Sequence, residues 1–150
     1  MYETVYTSYP LKNPVPQTLL DKNIKAARKV LDGYPAIHYA TLFGSVVKHR
    51  LTHESDIDLA IAADKPLETE DKLRLIGELN LCLTHPVDLV DLNRVSGPIL
   101  QQALCTGVVI KKTSTEKLAE LIKRMWYNQA DMMPNSLMIL EKHCQRFING

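Results

Sequence analysis

Residues 56–62, with the sequence DIDLAIA, constrain the fold of this chain more than any other segment. Apolar residues alternate there with Asp56, Asp58 and Ala60, which is the two-residue period of a β-strand. Side chains two positions apart on a strand point to the same side, so the two carboxylates share one face, about 6.6 Å apart at their backbones. The other face is apolar. The segment therefore predicts a strand that buries one side and presents two acids on the other.

A second strand pattern, residues 37–43, precedes the first and ends at Gly44–Ser45. Glycine lets a backbone approach a bulky anion closely, and serine is a favoured N-cap for the short helix that we expect to follow it. The first-turn N–H groups of such a helix form an anion site. Lys48 and Arg50 would add positive charge to it. The two strands thus combine a candidate phosphate site with candidate metal ligands.

Carboxylates paired on one strand face supply the oxygen ligands that Mg²⁺ prefers, usually together with substrate phosphates. Two such ions about 3.5–4 Å apart can hold the attacking and leaving oxygens of a displacement at phosphorus. Two side chains are too few ligands for two ions, so we expect a third carboxylate. The strand pattern at residues 86–92 offers Asp88 and Asp91, which face opposite sides of a regular strand because they lie three apart. We favour Asp88, and Asp91 stays open as the alternative.

The rest of the chain alternates helix patterns with strand patterns, which predicts an α/β (α+β) fold. The predicted strands are residues 37–43, 56–62, 86–92 and 108–111, and the predicted helices are residues 16–31, 67–85 and 98–106, one that contains Leu118, Leu121, Ile122, Met125 and Trp126, and one that starts at Pro134. Gly107 is expected to cap the third helix. On the second helix we expect an inward face of Leu73, Ile76, Leu79, Asn80 and Leu83.

The length of 150 residues predicts one domain with its own core. Within it we distinguish an extended arm at residues 1–15, a catalytic core at residues 16–111 and C-terminal helices at residues 112–150. The formal net charge of +1 argues against a domain whose main task is to bind nucleic-acid backbone. The sequence shows neither a membrane-length apolar run nor a signal-peptide pattern, so the expected location is the cytoplasm.

At its glycine–serine and acidic positions the sequence resembles the DNA polymerase β-type nucleotidyltransferase superfamily, whose signature is G-S-x(10)-D-x-D followed by a later carboxylate. The matching residues are Gly44, Ser45, Asp56, Asp58 and Asp88. The chain length and the sequence S-D-I-D-L at residues 55–59 resemble those of the minimal nucleotidyltransferases in particular. The resemblance covers residues 36–111 and implies a polymerase β-like fold with a mixed sheet of about four strands covered by helices. One departure is that residues 46–49 read VVKH, where such proteins often have an arginine and small residues.

Family members of this size are typically encoded beside a HEPN-domain ribonuclease toxin. The resemblance therefore implies an antitoxin that uses Mg²⁺, as two ions, to transfer AMP from ATP to a tyrosine hydroxyl of that toxin. One alternative is a nucleotidyltransferase with a small-molecule acceptor, which residues 112–150 disfavour because they are too few for a substrate domain. The other is a non-catalytic antitoxin that neutralises its partner by binding. Tyr127, Met132, Met133 and the tyrosines of the arm are candidates for a partner surface.

Overall fold

The computed structural model describes residues 18–128, which contain four α-helices and four β-strands. The helices are α1 (Leu19–Leu31), α2 (Thr69–Cys82), α3 (Pro98–Thr106) and α4 (Thr115–Asn128). The strands are β1 (Ile37–Phe43), β2 (Ile57–Ala63), β3 (Val87–Asp91) and β4 (Val108–Lys112). None of the described helices has the length and apolar character needed to cross a membrane. The predicted arm, and the helix predicted to start at Pro134, lie outside the described residues.

The strands form one mixed sheet in the order β3-β2-β1-β4. β1 pairs antiparallel with both β2 and β4, whereas β2 and β3 pair in parallel. A parallel pair needs a crossover connection, and α2 provides it here. The predicted α/β class with a mixed four-stranded sheet is confirmed.

Helices cover both faces of this sheet. On one face α1 and α2 pack against alternate residues of the central strands, in a core of Ile24, Ala27, Leu31, Ile37, Ala40, Leu42, Ile57, Leu59, Ile61, Leu75, Leu79, Leu89 and others. On the other face α3 and α4 pack against Tyr39, Phe43, Ala60 and Ala62. Asp58 lies two residues before Ala60 on β2, so its side chain is on this second face of the sheet. It lies outside the apolar cluster on that face.

A buried asparagine joins the first two helices. The Nδ2 of Asn23 donates to the carbonyl of Leu19 at 2.7 Å and to the Oγ1 of Thr84 at 2.9 Å, while its Oδ1 accepts from the Thr84 backbone N–H at 3.0 Å. Thr18 caps the same helix, since its Oγ1 accepts from the N–H of Asp21 at 3.1 Å. The start of α1 is therefore held beside the end of α2, and the two helices run antiparallel.

A buried lysine closes the other end of α1. The Nζ of Lys111 on β4 donates to the carbonyls of Leu31 at 3.1 Å and Tyr34 at 2.9 Å, which also accept from the backbone N–H groups of Tyr34 and Ile37. Burial lowers the pKa of Lys111, and the charge of Asp32 partly offsets this effect. The positive charge at the negative end of the helix dipole supports the junction between α1 and β1.

Side-chain links also tie together one end of the sheet. His38, near the start of β1, pairs through Nε2 with the Oδ1 of Asp64 at 2.9 Å, and its Nδ1 lies 3.0 Å from the Oγ1 of Thr113. Asp64 directly follows β2 and Thr113 directly follows β4, so one histidine connects the ends of three strands. This end is opposite the one where Gly44 lies.

The predicted inward face of α2 is partly wrong. Leu73 and Asn80 were expected to face inward and are exposed, whereas Leu75, which was not expected there, is fully buried together with Leu79. Leucines at alternate positions along this helix permit more than one apolar stripe, and only packing against the sheet selects one of them. The helix is also shorter than predicted, because Glu68 and Leu83 at its two caps have extended backbone.

Gly107 does lie at the end of α3, but not for the expected reason. Its φ of −76° and ψ of 160° are extended rather than left-handed, so it is not a glycine cap of the usual kind. A Cβ at this position would lie 2.1 Å from the Oγ1 of Thr41 and 2.5 Å from the carbonyl oxygen of Ala103. The close packing of α3 against β1 is what requires glycine here.

Candidate active site

Strand register brings together the candidate residues from three segments. In the antiparallel pair β1–β2, Phe43 lies opposite Asp58, and in the parallel pair β2–β3, Asp58 lies opposite Asp88. Gly44 follows Phe43 directly, so it lies beside Asp58 as well. The glycine–serine bend and two of the acids thus meet at one end of the sheet, on three adjacent strands.

Gly44 lies against the carboxylate of Asp58. A Cβ built on this glycine would be 2.2 Å from the Oδ2 of Asp58, closer than real Cβ atoms approach another atom, and a tight 3.2 Å from its Cγ. The φ of Gly44 is +75°, in the left-handed region that L-residues avoid. Both the space and the backbone conformation therefore require glycine at this position.

The electrostatics of the site centre on Asp58. Burial raises the pKa of Asp58, and the negative charges of Asp88 and Asp56 and a hydrogen bond with Asp88 raise it further. Asp58 is half-buried, whereas Asp56 and Asp88 are exposed. Like charges held this close repel each other, so the arrangement costs free energy until a proton or a cation compensates it.

The donor set of these three residues fits a hard divalent cation. All the donors are carboxylate oxygens, which Mg²⁺ prefers, and the half-open position leaves room for further oxygen ligands from a substrate. Within residues 18–128 no three acidic, histidine or cysteine side chains are grouped closely enough to hold a metal ion by themselves. Asp58 and Asp88 are adjacent, and Asp56 is near enough for its charge to raise the pKa of Asp58. A cation at this site would therefore rely on substrate oxygens or on a small movement of Asp56.

Asp91, the alternative third carboxylate, lies away from Asp58 and Asp88, and its carboxylate accepts hydrogen bonds from other residues. It is 3% exposed, and its Oδ2 accepts from the backbone N–H of Leu67 at 2.8 Å while its Oδ1 accepts from that of Asn93 at 2.9 Å. The Nε of Arg94 is 3.8 Å from Oδ2. Asp91 lies opposite Ile61 in the register, three residues along the strands from the Asp58–Asp88 pair. Its contacts are those of a residue that fixes the loops after β2 and β3.

The short helix expected after Ser45 is a single 3₁₀ turn, Gly44–Val46. The residue at its N-cap is Phe43, which makes no side-chain capping bond, so the prediction that Ser45 caps a helix is wrong. The turn begins at Gly44, so Ser45 is already its second residue, and His49, with a φ of +55°, ends the helical backbone soon after. One turn has too few aligned peptides to act as a helix dipole, so an anion site at a helix N-terminus is not present here.

The remaining predicted phosphate-contacting residues lie on this turn and the segment after it. Ser45 is half-buried next to Gly44, and Lys48 and Arg50 are both exposed. Backbone bonds hold the segment in place, from the N–H of Lys48 to the carbonyl of Gly44 at 3.2 Å and from the N–H of Arg50 to the carbonyl of Ser45 at 2.9 Å. The two cationic side chains are therefore free to reach towards a ligand from a fixed backbone.

A feature that the sequence analysis missed is the turn directly before Asp56. The Oγ of Ser55 accepts from the backbone N–H of Thr52 at 2.9 Å and lies 3.0 Å from its Oγ1, while the Ser55 N–H donates to the Thr52 carbonyl at 3.1 Å. Two hydroxyl residues three apart favour such a turn, and this spacing was the available signal. The turn fixes the direction from which the chain enters the acidic cluster.

Comparison with known proteins identifies relatives with the same core. The family model described as Polymerase beta, Nucleotidyltransferase matches residues 25–116. The chain is 32% identical over 83 residues to protein adenylyltransferase MntA of Shewanella oneidensis, a match that spans 55% of this chain and 60% of that protein. The match thus covers less than two thirds of the length of this relative.

Solved structures of similar fold extend the comparison. A crystal structure of a toxin–antitoxin pair with AMP-PNP matches with a TM-score of 0.61 and 28% identity, over 77% of this chain and 98% of the other. A structure of the tri-AMPylated Shewanella oneidensis HEPN toxin in complex with MNT antitoxin matches with a TM-score of 0.60 and 27% identity, over 81% and 97% of the two chains.

Proposed function

Because this chain belongs to the polymerase β-type nucleotidyltransferase family, whose model covers residues 25–116, we propose that it transfers AMP from ATP to a hydroxyl group of a HEPN-domain toxin and thereby acts as its antitoxin. The observation that carries the proposal is the contact of Gly44 with Asp58, which in turn lies beside Asp88. Related proteins in complex with a HEPN toxin, and with AMP-PNP, support the choice of partner and nucleotide. Since ATP is the donor, we place the reaction in the cytoplasm.

In this proposal Asp56, Asp58 and Asp88 hold Mg²⁺, as two ions. The acceptor oxygen would bond to the α-phosphorus as the α–β anhydride bond breaks and pyrophosphate leaves, and the metal would neutralise these phosphates and favour loss of the proton from the acceptor hydroxyl. Gly44, which has no side chain, leaves the backbone open to the phosphates, and Ser45 lies beside it as a hydrogen-bond donor. Lys48 and Arg50 supply the positive charge for the polyphosphate from the following segment. The chain thus contributes positioning and fixed charges, which dominate catalysis of phosphorus transfer.

We propose a tyrosine hydroxyl as the acceptor. A phenol has a pKa near 10 in water, several units below that of an aliphatic alcohol, so carboxylates and a cation can ionise it more easily than serine or threonine. The related antitoxin complex contains a tri-AMPylated toxin, which supports a protein acceptor over a small molecule. Tyr127 on α4 is 69% exposed and stays a candidate for the partner surface, whereas Met132, Met133 and the arm tyrosines lie outside the described residues.

The function is tested by incubating the purified chain with Mg²⁺, the HEPN protein encoded beside it, and ATP labelled at the α-phosphate or at the γ-phosphate. Transfer of the α-label but not of the γ-label to the HEPN protein is expected, and chelation of Mg²⁺ should prevent it. Label on a small molecule would indicate the alternative acceptor class. A stable complex without label would indicate neutralisation by binding alone and would contradict the proposed activity.

Asp88 and Asp91 should respond oppositely to replacement with asparagine. Asp88→Asn is expected to reduce AMP transfer by at least about 100-fold, with little change in thermal stability, because Asp88 is exposed and adjacent to Asp58. Asp91→Asn is expected to cost about 1–3 kcal/mol of stability, because it weakens two bonds to backbone N–H groups. Its folded fraction should transfer AMP normally. Transfer rates and Tm values of both variants, measured in parallel, test this prediction. If instead Asp91→Asn abolished transfer and Asp88→Asn did not, the third ligand would be Asp91.

A further inference from the structure

One residue in the connection between β1 and β2 has a backbone conformation that most side chains disfavour. His49 has a φ of +55°, and among residues 18–128 it is the only residue other than glycine with a positive φ. This left-handed conformation brings Cβ close to the following carbonyl oxygen and costs free energy, although histidine adopts it more often than most residues do. The His49 side chain is exposed, so burial of the imidazole does not offset the cost. The backbone around His49 must therefore stabilise the conformation.

Two nested backbone hydrogen bonds enclose His49. The N–H of Arg50 donates to the carbonyl of Ser45 at 2.9 Å, and inside this loop the N–H of His49 donates to the carbonyl of Val46 at 3.4 Å. This pair of bonds around a left-handed residue is the Schellman motif, which usually ends an α-helix and usually has glycine at the left-handed position. Here the motif ends a single 3₁₀ turn and has histidine at that position. It closes residues 45–50 into a compact loop.

The Schellman motif also decides which two residues of the loop are neighbours. An apolar contact between the side chains at its first and last positions often accompanies the motif. In this chain those positions are held by Ser45 and Arg50, so a hydroxyl and a guanidinium replace the two apolar groups. Both groups can donate hydrogen bonds to the oxygens of one phosphate, and the guanidinium does so with two parallel N–H groups. The chemistry at the two ends of the loop therefore suits an anion.

The loop is attached directly to the acidic cluster. Gly44 lies against the carboxylate of Asp58, Ser45 follows Gly44 in the chain, and the backbone of Arg50 is bonded to that of Ser45. One packing contact, one peptide bond and one hydrogen bond thus connect Asp58 to Arg50. Ser45 is half-buried beside the acids, and Arg50 is exposed. Phosphates that share a cation with Asp58 would therefore be within reach of both donors.

We propose that His49 is a positioning residue for the nucleotide: its left-handed backbone closes the loop that holds Arg50 next to Ser45, so that both side chains bind the same phosphate group of ATP. This role rests on the proposed function, because it takes ATP as the ligand. It belongs to the backbone of His49 and not to the imidazole. Glycine and asparagine, which adopt the left-handed conformation readily, should therefore replace His49 without loss of ATP affinity. A β-branched residue avoids this conformation and should open the loop.

Calorimetric binding of α,β-methylene-ATP in the presence of Mg²⁺ tests this role without an acceptor and without AMP transfer. His49→Val is expected to raise the Kd about 10-fold, as loss of one hydrogen bond to a charged group does, whereas His49→Gly and His49→Asn should stay within about twofold of the parent. His53→Val is the matched control, because it makes the same change at an exposed position of the same connection where φ is not positive, and it should leave the Kd unchanged. An unchanged Kd in His49→Val would overturn the proposal. So would an equal rise in His49→Gly, which would assign the contact to the imidazole.

A double-mutant cycle shows whether His49 acts through Arg50. Arg50→Ala alone is expected to raise the Kd about 10-fold, and adding His49→Val to it should raise the Kd by less than about twofold more. Independent effects, which multiply to about 100-fold, would contradict the proposal. The calorimetric stoichiometry gives the folded fraction of each variant, so loss of folded protein is separated from loss of affinity. Failure of the parent chain to bind the nucleotide would refute the proposed function itself, whereas equal binding by the parent and His49→Val would refute only the role of His49.

Discussion

Replacing Asp58 with asparagine is expected to reduce AMP transfer by at least about 1,000-fold and, in the absence of metal, to make the protein more stable. The loss of activity follows from the central position of this carboxylate, which contacts Gly44 and lies opposite Asp88. A cation that neutralises charge in the transition state contributes several kcal/mol, and every 1.36 kcal/mol is a factor of ten in rate. Asparagine keeps the shape of the side chain but removes the charge that holds the cation.

The gain in stability follows from the raised pKa of Asp58. Burial, together with the charges of Asp88 and Asp56, makes its ionised form less favourable in the folded protein than in the unfolded chain. The stability that this group contributes is therefore fully present below its usual pKa of 3.8 and is lost as the pH rises through the higher folded value. At pH 7 a neutral asparagine avoids the loss. Because Asp56 and Asp88 are exposed, water screens part of the repulsion, and we expect a gain of about 1 kcal/mol, or 2–4 °C in Tm.

Thermal melts between pH 4 and pH 8, with and without Mg²⁺, test the Asp58 prediction alongside the transfer assay. The Tm difference between Asp58→Asn and the parent protein should shrink as the pH falls. Mg²⁺ should raise the Tm of the parent and not that of the variant, because only the folded parent binds it well. Asp64→Asn, just after the other end of the same strand, is the control and should retain transfer. An Asp58→Asn protein with normal transfer would refute the assignment of the active site.

Replacing Gly44 with alanine is expected to lower both stability and activity. The added Cβ would lie 2.2 Å from the Oδ2 of Asp58, so the carboxylate or the bend must move. The φ of +75° adds about 1–2 kcal/mol of backbone strain for any residue with a Cβ. Displacement of reacting groups by about 1 Å can reduce the rate 100-fold, and we expect at least that loss of AMP transfer.

Gly77→Ala is the matched control for the Gly44 variant. Gly77 lies on α2, and no atom outside its own helix lies within 4 Å of the position where its Cβ would be. The same substitution there should stabilise the protein by about 0.5–1 kcal/mol and leave transfer unchanged. Initial rates and Tm values for the two variants separate a specific effect at the bend from a general effect of removing glycine. Normal activity in Gly44→Ala would show that the bend does not position the reacting groups.

The strand that carries Asp58 could be predicted from its alternation, but Asp56 lies just before it, and the prediction that only one face is buried is wrong because Ala60 and Ala62 on the other face are also fully buried. The predicted strand of residues 56–62 is displaced by only one position from the observed Ile57–Ala63. The family assignment is confirmed by the match over residues 25–116. The preference for Asp88 over Asp91 remains a prediction about function, although the parallel register places Asp88 opposite Asp58. That register depends on a pairing between distant segments, which a period along one strand does not reveal.

Other features depend on tertiary contacts and could not be predicted. Leu73 and Leu75 have the same side chain and lie two residues apart on α2, so only the position of the sheet decides which one is buried. Ser45 has the right chemistry for a cap, but the turn already begins at Gly44, so Ser45 lies inside the turn and not at the cap position. Gly107 is at the predicted location because a neighbouring threonine and carbonyl leave no space for a methyl group.

The link from His38 to Asp64 and Thr113 has a consequence for how such a protein can change over time. It connects three strands at the end of the sheet that is remote from Asp58 and Asp88. At the same end, Asp91 holds the loops after β2 and β3. The connection between β1 and β2 lies at the opposite end of the sheet and takes no part in these contacts. Substitutions at His53 and Glu54, which are exposed in this connection, can therefore accumulate with little cost to folding, so recognition of a new acceptor can evolve while the scaffold stays intact.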